Sequence, residues 1–228
     1  MHTTDSHGPE ANVATRGRLV RWARFYDIAG AVLTLGRDRA LRQRTVDLAA
    51  ITPGESVLEV GCGTGELSQR ARARVGPGGR VSGIDPSAEM IAVARRKAAR
   101  AGIDIDYRVA SIEALPFDGH SFDVVLSSLM MHHLPDDLKS TGLAEIGRVL
   151  KPGGRLLIVD FKRPSGLLSH LALSAVLHGR HGKGERGLED LPSLLSMARF
   201  VDMRSGDVGL LSVGFVSART RVEQPLPN

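Results

Sequence analysis

Cysteine, aromatic side chains and long apolar runs are all scarce in this chain of 228 residues. The single cysteine, Cys62, rules out an internal disulfide, which suits a reducing compartment and a cytoplasmic setting. Aromatic residues make up 4% of the chain, too few for the stacking platforms that grip single-stranded nucleic acid. No apolar stretch reaches the roughly 18 residues a membrane-spanning helix needs. The opening MHTTDSHGPEAN has no apolar centre, so it is not expected to act as a signal peptide. No internal repeat is present. Acid is also in slight deficit: the net charge is +5, mostly from arginine. Scattered, solvated arginines account for it, and no nucleic-acid partner is expected.

What is present is ordinary for a globular protein: 42% hydrophobic and 24% charged residues, in a length that suits one large domain. The polar, Gly- and Pro-containing residues 1–15 read as a disordered tail. A single domain is expected over 16–220, with residues 221–228 as a second tail. Arg16 to Ala29 has helical periodicity, with Leu19, Trp22, Phe25 and Tyr26 on one side. This helix opens an N-terminal helical cap over 16–50, covering either the sheet edge or the mouth of a pocket. A second helix, Asp38 to Ala50, stops before Pro53-Gly54.

A regular alternation follows. Strands are expected at Ser56–Val60, Arg80–Asp85, Ile105–Ala110, Phe122–Ser127 and Arg155–Phe161. Helices fall between them at about 65–75, 88–101 and 137–150. The last of these is expected to stop at the turn Lys151-Pro152-Gly153-Gly154. Such alternation predicts a doubly wound, mostly parallel α/β sheet with helices on both faces. After Pro164 the rhythm breaks into a helical insertion over 165–200. It includes the apolar stretch Leu167–Gly179, read as the wall of a pocket or of a homodimer. Arg163 and Arg180 flank it, which leaves peripheral membrane contact open. Two strands, Val201–Val208 and Leu211–Arg219, close the chain as an antiparallel hairpin.

The chemistry concentrates in VLEVGCGTGELS, Val57 to Ser68. A buried strand carrying Glu59 runs into three alternating glycines, Gly61, Gly63 and Gly65, and then into a helix N-terminus. Glycines allow positive φ and close approach of a ligand to the backbone, and a helix start offers free N–H groups. Cys62 sits within this turn as a small buried filler. Asp85 ends the second strand, twenty positions past Gly65, where a doubly wound sheet reaches ribose hydroxyls. Ala110, Ser111 and Ile112 end the third strand, placed to touch an adenine, with Met90 against its other face. The G-x-G-x-G spacing differs from the G-x-G-x-x-G of dinucleotide sites, and no Walker A lysine follows.

Five ordered motifs carry a resemblance: EVGCGTG, GIDPSAEMI, ALPF, SFDVVLSSLMMHHL and RVLKPGGRLLIVDF, spread over Val57 to Phe161. Together they resemble class I methyltransferases that use S-adenosylmethionine, above all the branch containing the ubiquinone and menaquinone biosynthesis C-methyltransferases. The resemblance implies a Rossmann-like sheet of seven strands with an antiparallel terminal strand. It implies that Glu59 and the Gly61–Gly65 turn hold the methionine moiety, that Asp85 and Pro86 meet the ribose, and that Ser127 lies near the methionine amino group or the sulfonium. Ser111 stands where the family usually has an aspartate toward adenine, so the Ile112 backbone N–H is the steadier contact, with Glu113 as a substitute.

The sulfonium methyl is already activated, so the protein mainly aligns the acceptor and excludes water. His132, His133 and Tyr26 are the candidate bases for an acceptor that must lose a proton. No acid cluster follows the fourth strand, and His170, His178 and His181 lack partner ligands, so no metal is expected. The leading function is a methyltransferase for a small or lipid-like acceptor such as a quinol, phenol, amine or lipid. The alternatives are an RNA or protein methyltransferase, and a non-catalytic regulatory or assembly protein built on the cofactor fold.

Overall fold

The structure is a computed structural model that describes residues 12, 13, 15, 17, 37–162, 187–210 and 213–222. The expected helices at 16–29 and 167–179, with Tyr26, His170, His178 and His181, lie outside the described residues. Helix α1 spans Asp38–Leu48, strand β1 Ser56–Val60, α2 Glu66–Val75, β2 Arg80–Asp85 and α3 Ala88–Arg100. Strand β3 spans Asp106–Val109, β4 Phe122–Ser128, α4 Asp136–Val149 and β5 Leu150–Phe161. The described chain closes with α5 (Leu191–Met197), β6 (Val201–Leu210) and β7 (Val213–Arg219).

The seven strands form one sheet in the order β3-β2-β1-β4-β5-β7-β6. Strands β1 to β5 pair in parallel, and β7 runs antiparallel to both β5 and β6. The expected mostly parallel sheet with an antiparallel terminal strand is therefore the observed one. Parallel strands need helical crossovers, which cover both faces and demand apolar residues on each. Strand β1 is accordingly buried at all five positions. Alternate residues serve opposite layers: Leu156 and Ile158 of β5 join the core under α4 and α5, while Leu157 and Val159 join the core under α1 and α2.

One strand boundary differs from expectation by more than two residues. The Lys151–Gly154 stretch is part of β5 rather than a turn before it. Leu150 pairs with Phe122, and an irregularity between Phe122 and Val124 absorbs the Pro-Gly-Gly segment. Described residues of the N-terminal segment bond to the loop after β2, to the start of α3 and to the loop after β3. The Val13 N–H donates to the Pro86 carbonyl at 3.2 Å, Asn12 Oδ1 accepts from the Ala88 N–H at 2.9 Å, and Thr15 Oγ1 donates to Glu113 at 3.0 Å.

The chain changes direction between β1 and β4, because β2 and β3 lie to one side of β1 and β4 and β5 to the other. At such a switch point the loops leaving the strands part, and a crevice opens at their carboxyl ends.

Candidate functional site

The crevice at the switch point is lined by Val60, Gly61 and Gly63 after β1, by Ile84, Asp85 and Pro86 after β2, and by Met90 of α3. Ala110, Ser111 and Ile112 follow β3, and Leu129, Met130, His133 and Leu134 follow β4. Thr15 and Gly17 complete the lining from the N-terminal segment.

The glycine turn is shaped from two sides. Gly61, Gly63 and Gly65 all hold positive φ, at 75°, 52° and 81°. The Gly61 and Cys62 N–H groups both donate to the Ile84 carbonyl at 2.9 Å, which ties the turn to β2. A Cβ on Gly61 would lie 2.4 Å from Met130 Cγ, so the methionine side chain rests directly on the turn. Gly65 does not line the crevice. A Cβ there would lie 2.3 Å from the Tyr107 hydroxyl, which donates to the Gly65 carbonyl at 3.2 Å. That third glycine therefore makes room for Tyr107. Gly83 has the same duty under the ring: a Cβ would meet Tyr107 Cδ1 at 2.8 Å. Tyr107 is thus the floor of the turn, and burial pushes its hydroxyl pKa up.

Asp85 stands at the mouth. Its Oδ2 accepts from the Gly63 N–H at 3.0 Å and its Oδ1 from the Ser87 N–H at 2.9 Å. Burial raises its pKa, against the pull of those two donors. Each oxygen keeps a lone pair for a further donor such as a hydroxyl. Ser87 caps α3, as its place before the helix suggests, by accepting from the Met90 N–H at 3.3 Å. The cap sets Met90 into the crevice wall opposite Ile112.

Of the residues expected to meet a cofactor, Gly61, Gly63, Asp85, Pro86, Met90, Ser111 and Ile112 line this one crevice. Glu59, Cys62, Gly65 and Ser127 do not. Glu59 sits beneath the turn, 2% exposed, and accepts from the Ser68 hydroxyl. Burial pushes its carboxyl up to about 7. Cys62 packs among Ile91, Ala94, Ala98 and Tyr107, where burial pushes the thiol well up and keeps it un-ionised. Ser127 is fully buried in β4, and among the described residues its Oγ has no hydrogen-bond partner.

The two histidines divide. His133 lines the crevice. His132 lies behind it with ring centroids 3.9 Å apart, and its Nδ1 is 2.7 Å from Oδ1 of Asp160. Asp160 was not among the expected site residues. It ends the apolar run Leu156–Val159 at the carboxyl edge of a central strand, where a charged residue has no packing reason to stand, and that was the readable signal. Among the described residues, no group of three or more His, Cys, Asp or Glu could hold a metal ion. No described helix is long and apolar enough to cross a membrane.

A family profile described as a methyltransferase domain matches residues 57–154. The ubiquinone/menaquinone biosynthesis C-methyltransferase UbiE of Hahella chejuensis is 36% identical over 142 residues, covering 61% of this chain and 56% of that protein. The demethylmenaquinone methyltransferase of Thermus thermophilus is 37% identical over 139 residues, covering 61% of this chain and 62% of that protein. The matched segment thus spans between half and two thirds of these curated relatives. Among solved structures, phosphoethanolamine N-methyltransferase 2 of Haemonchus contortus, in complex with S-adenosyl-L-methionine, superimposes with a TM-score of 0.68. It is 17% identical, with 89% of this chain and 60% of that one covered. The chain therefore resembles class I methyltransferases, in sequence the UbiE branch above all.

Proposed function

We propose that this methyltransferase-like chain transfers a methyl group from S-adenosylmethionine to a small, largely apolar acceptor bearing an ionisable hydroxyl, of which a quinol is the leading class. The observation that carries this reading is the convergence of three unlike surfaces on one crevice at the switch point. The positive-φ backbone of Gly61 and Gly63 accepts a ligand at close approach. The Asp85 carboxylate has lone pairs for ribose hydroxyls. Pro86, Met90 and Ile112 form an apolar slot for a flat base. These fit the methionine end, the ribose and the adenine of that cofactor in turn.

When bound, S-adenosylmethionine supplies a methyl group on a positively charged sulfur, already activated for transfer. The chain's own part is to hold the acceptor in line and to exclude water. Leu129, Met130 and Leu134 give the β4 side of the crevice an apolar rim, which supports an apolar acceptor. The relatives named for ubiquinone, menaquinone and demethylmenaquinone support a quinol among such acceptors.

Calorimetry with S-adenosylmethionine tests the first half. Saturable binding is expected, and Asp85→Ala should weaken it about tenfold or more, as loss of a hydrogen-bonded charged partner does. No heat of binding from the native chain would overturn the reading. The second half is tested by label transfer from a methyl-labelled donor into a cell extract. Label in organic-soluble material supports the proposed acceptor class, and label confined to RNA or protein removes it.

A further inference from the structure

We propose that His132 is the base that takes the acceptor's proton and that Asp160 positions it. This role rests on the methyltransferase reading above. Asp160 is 2% exposed and collects three donors from two residues. Its Oδ1 lies 2.7 Å from the His132 ring Nδ1 and accepts the Phe161 N–H at 2.7 Å, and its Oδ2 accepts the His132 backbone N–H at 3.1 Å. An ionised carboxylate can only accept, so the ring nitrogen facing it must carry a hydrogen. That fixes the neutral tautomer and leaves the lone pair on Nε2. Among the described residues, Nε2 has no hydrogen-bond partner.

The ring is held on three sides. The His133 ring lies against it tilted by 43°, Phe161 meets it edge-on with centroids 5.1 Å apart, and Asp160 pairs with its Nδ1. It is still 18% exposed. His133 itself lines the crevice, so the oriented imidazole stands one ring behind the wall past which an acceptor must enter. Capping the short turn Met131–His133 would need only the backbone N–H bond to Oδ2. The second bond, to the ring, satisfies the buried carboxylate and fixes the ring's orientation at once.

In the step, an electron pair of the acceptor forms the new bond to the methyl carbon. The carbon–sulfur pair stays on sulfur, and the acceptor's hydroxyl proton passes through one bridging water to His132 Nε2. The resulting imidazolium faces the Asp160 carboxylate and returns its proton to water after product leaves.

Full-length chain carrying His132→Ala, Asp160→Asn or Asp160→Glu tests this, with His120→Gln as a control away from the crevice. Three readouts are taken: donor binding by calorimetry, label transfer to the organic extract, and the histidine ring nitrogens by NMR. For His132→Ala, transfer should fall about 100-fold or more while donor affinity stays within about twofold, and added imidazole should restore part of the rate. Asp160→Asn should lower kcat about 10- to 100-fold with little change in KM, and should move the ring hydrogen off Nδ1. Asp160→Glu should recover part of both. Transfer by His132→Ala within about threefold of native would overturn the proposal, as would failure of imidazole to rescue a variant that still binds donor. The NMR arm needs no acceptor: a native ring carrying its hydrogen on Nε2 overturns the pairing by itself. A native chain that binds no donor, or binds it and labels nothing, instead sinks the methyltransferase reading, and this role with it.

Discussion

Glu59 of β1 and Asp160 of β5 lie on opposite faces of one sheet, and burial treats them alike: each is 2% exposed. Their protonation nevertheless runs in opposite directions. Burial lifts the Glu59 carboxyl to about 7, and the Ser68 hydroxyl and the charge of Arg42 pull it only part of the way back. Burial also works to raise Asp160, yet the His132 ring and the two backbone N–H donors outweigh it and hold the carboxyl below its ordinary value. Depth alone therefore does not set the charge of a buried acid. The number of donors aimed at it and a partner able to carry positive charge do. The acid under the glycine turn can take up a proton near neutrality, and the one behind the histidines stays ionised there.

The largest expected effect comes from emptying the better-supplied site. Asp160→Ala leaves three donors facing a buried gap and should destabilise the fold by about 3–5 kcal/mol, read from urea unfolding near pH 7. A loss below about 1 kcal/mol would mean the donors find other acceptors, and the contrast with Glu59 would lose its basis.

The second effect lies in pH. Glu59 binds its proton more tightly folded than unfolded, so between pH about 4.5 and about 7 the folded state holds the extra proton. Stability should therefore fall as pH rises through that window, by about 3 kcal/mol in all. Glu59→Gln should flatten this slope, measured by unfolding at several pH values. Asp160 has the opposite sign: its depressed pKa gives stability that is complete above the ordinary carboxylate range and is lost only as pH falls below it. A native chain with no slope between pH 5 and 7 would erase the distinction between the two acids. The smallest effect tests the floor above Glu59. Tyr107→Phe removes the bond to the Gly65 carbonyl and should cost about 1 kcal/mol, with donor binding retained.

The sheet was legible because its signals are local. Apolar runs between glycine turns marked β1 and β2 to the residue, and the terminal hairpin had only one possible sense. Strand β5 was misjudged at its start because Pro152-Gly153-Gly154 has the chemistry of a turn, while the pairing of Leu150 with Phe122 is set by a neighbour far away in sequence. The crevice was legible at Gly61, Gly63 and Asp85, where spacing along the chain dictates position. Gly65 lies outside the lining although its spacing matches, and Cys62 is the small buried filler expected of it. What those residues face is decided by Tyr107, which reaches the turn from two strands away. The pairing of His132 with Asp160 joins positions 28 apart, and nothing local foretells it.

Leu129 follows β4 with φ at 53°, a conformation that a leucine adopts at a cost of about 1–2 kcal/mol. Its N–H donates to the Val159 carbonyl at 2.8 Å, and the corner it makes lays Met130 on Gly61 and sends His133 into the crevice. Glycine would fit that corner without strain. Leu129→Gly would shed that strain but also the side chain's packing on the core under α1 and α2, and it would loosen the unfolded chain, so the elbow cannot be slackened for a sturdier fold.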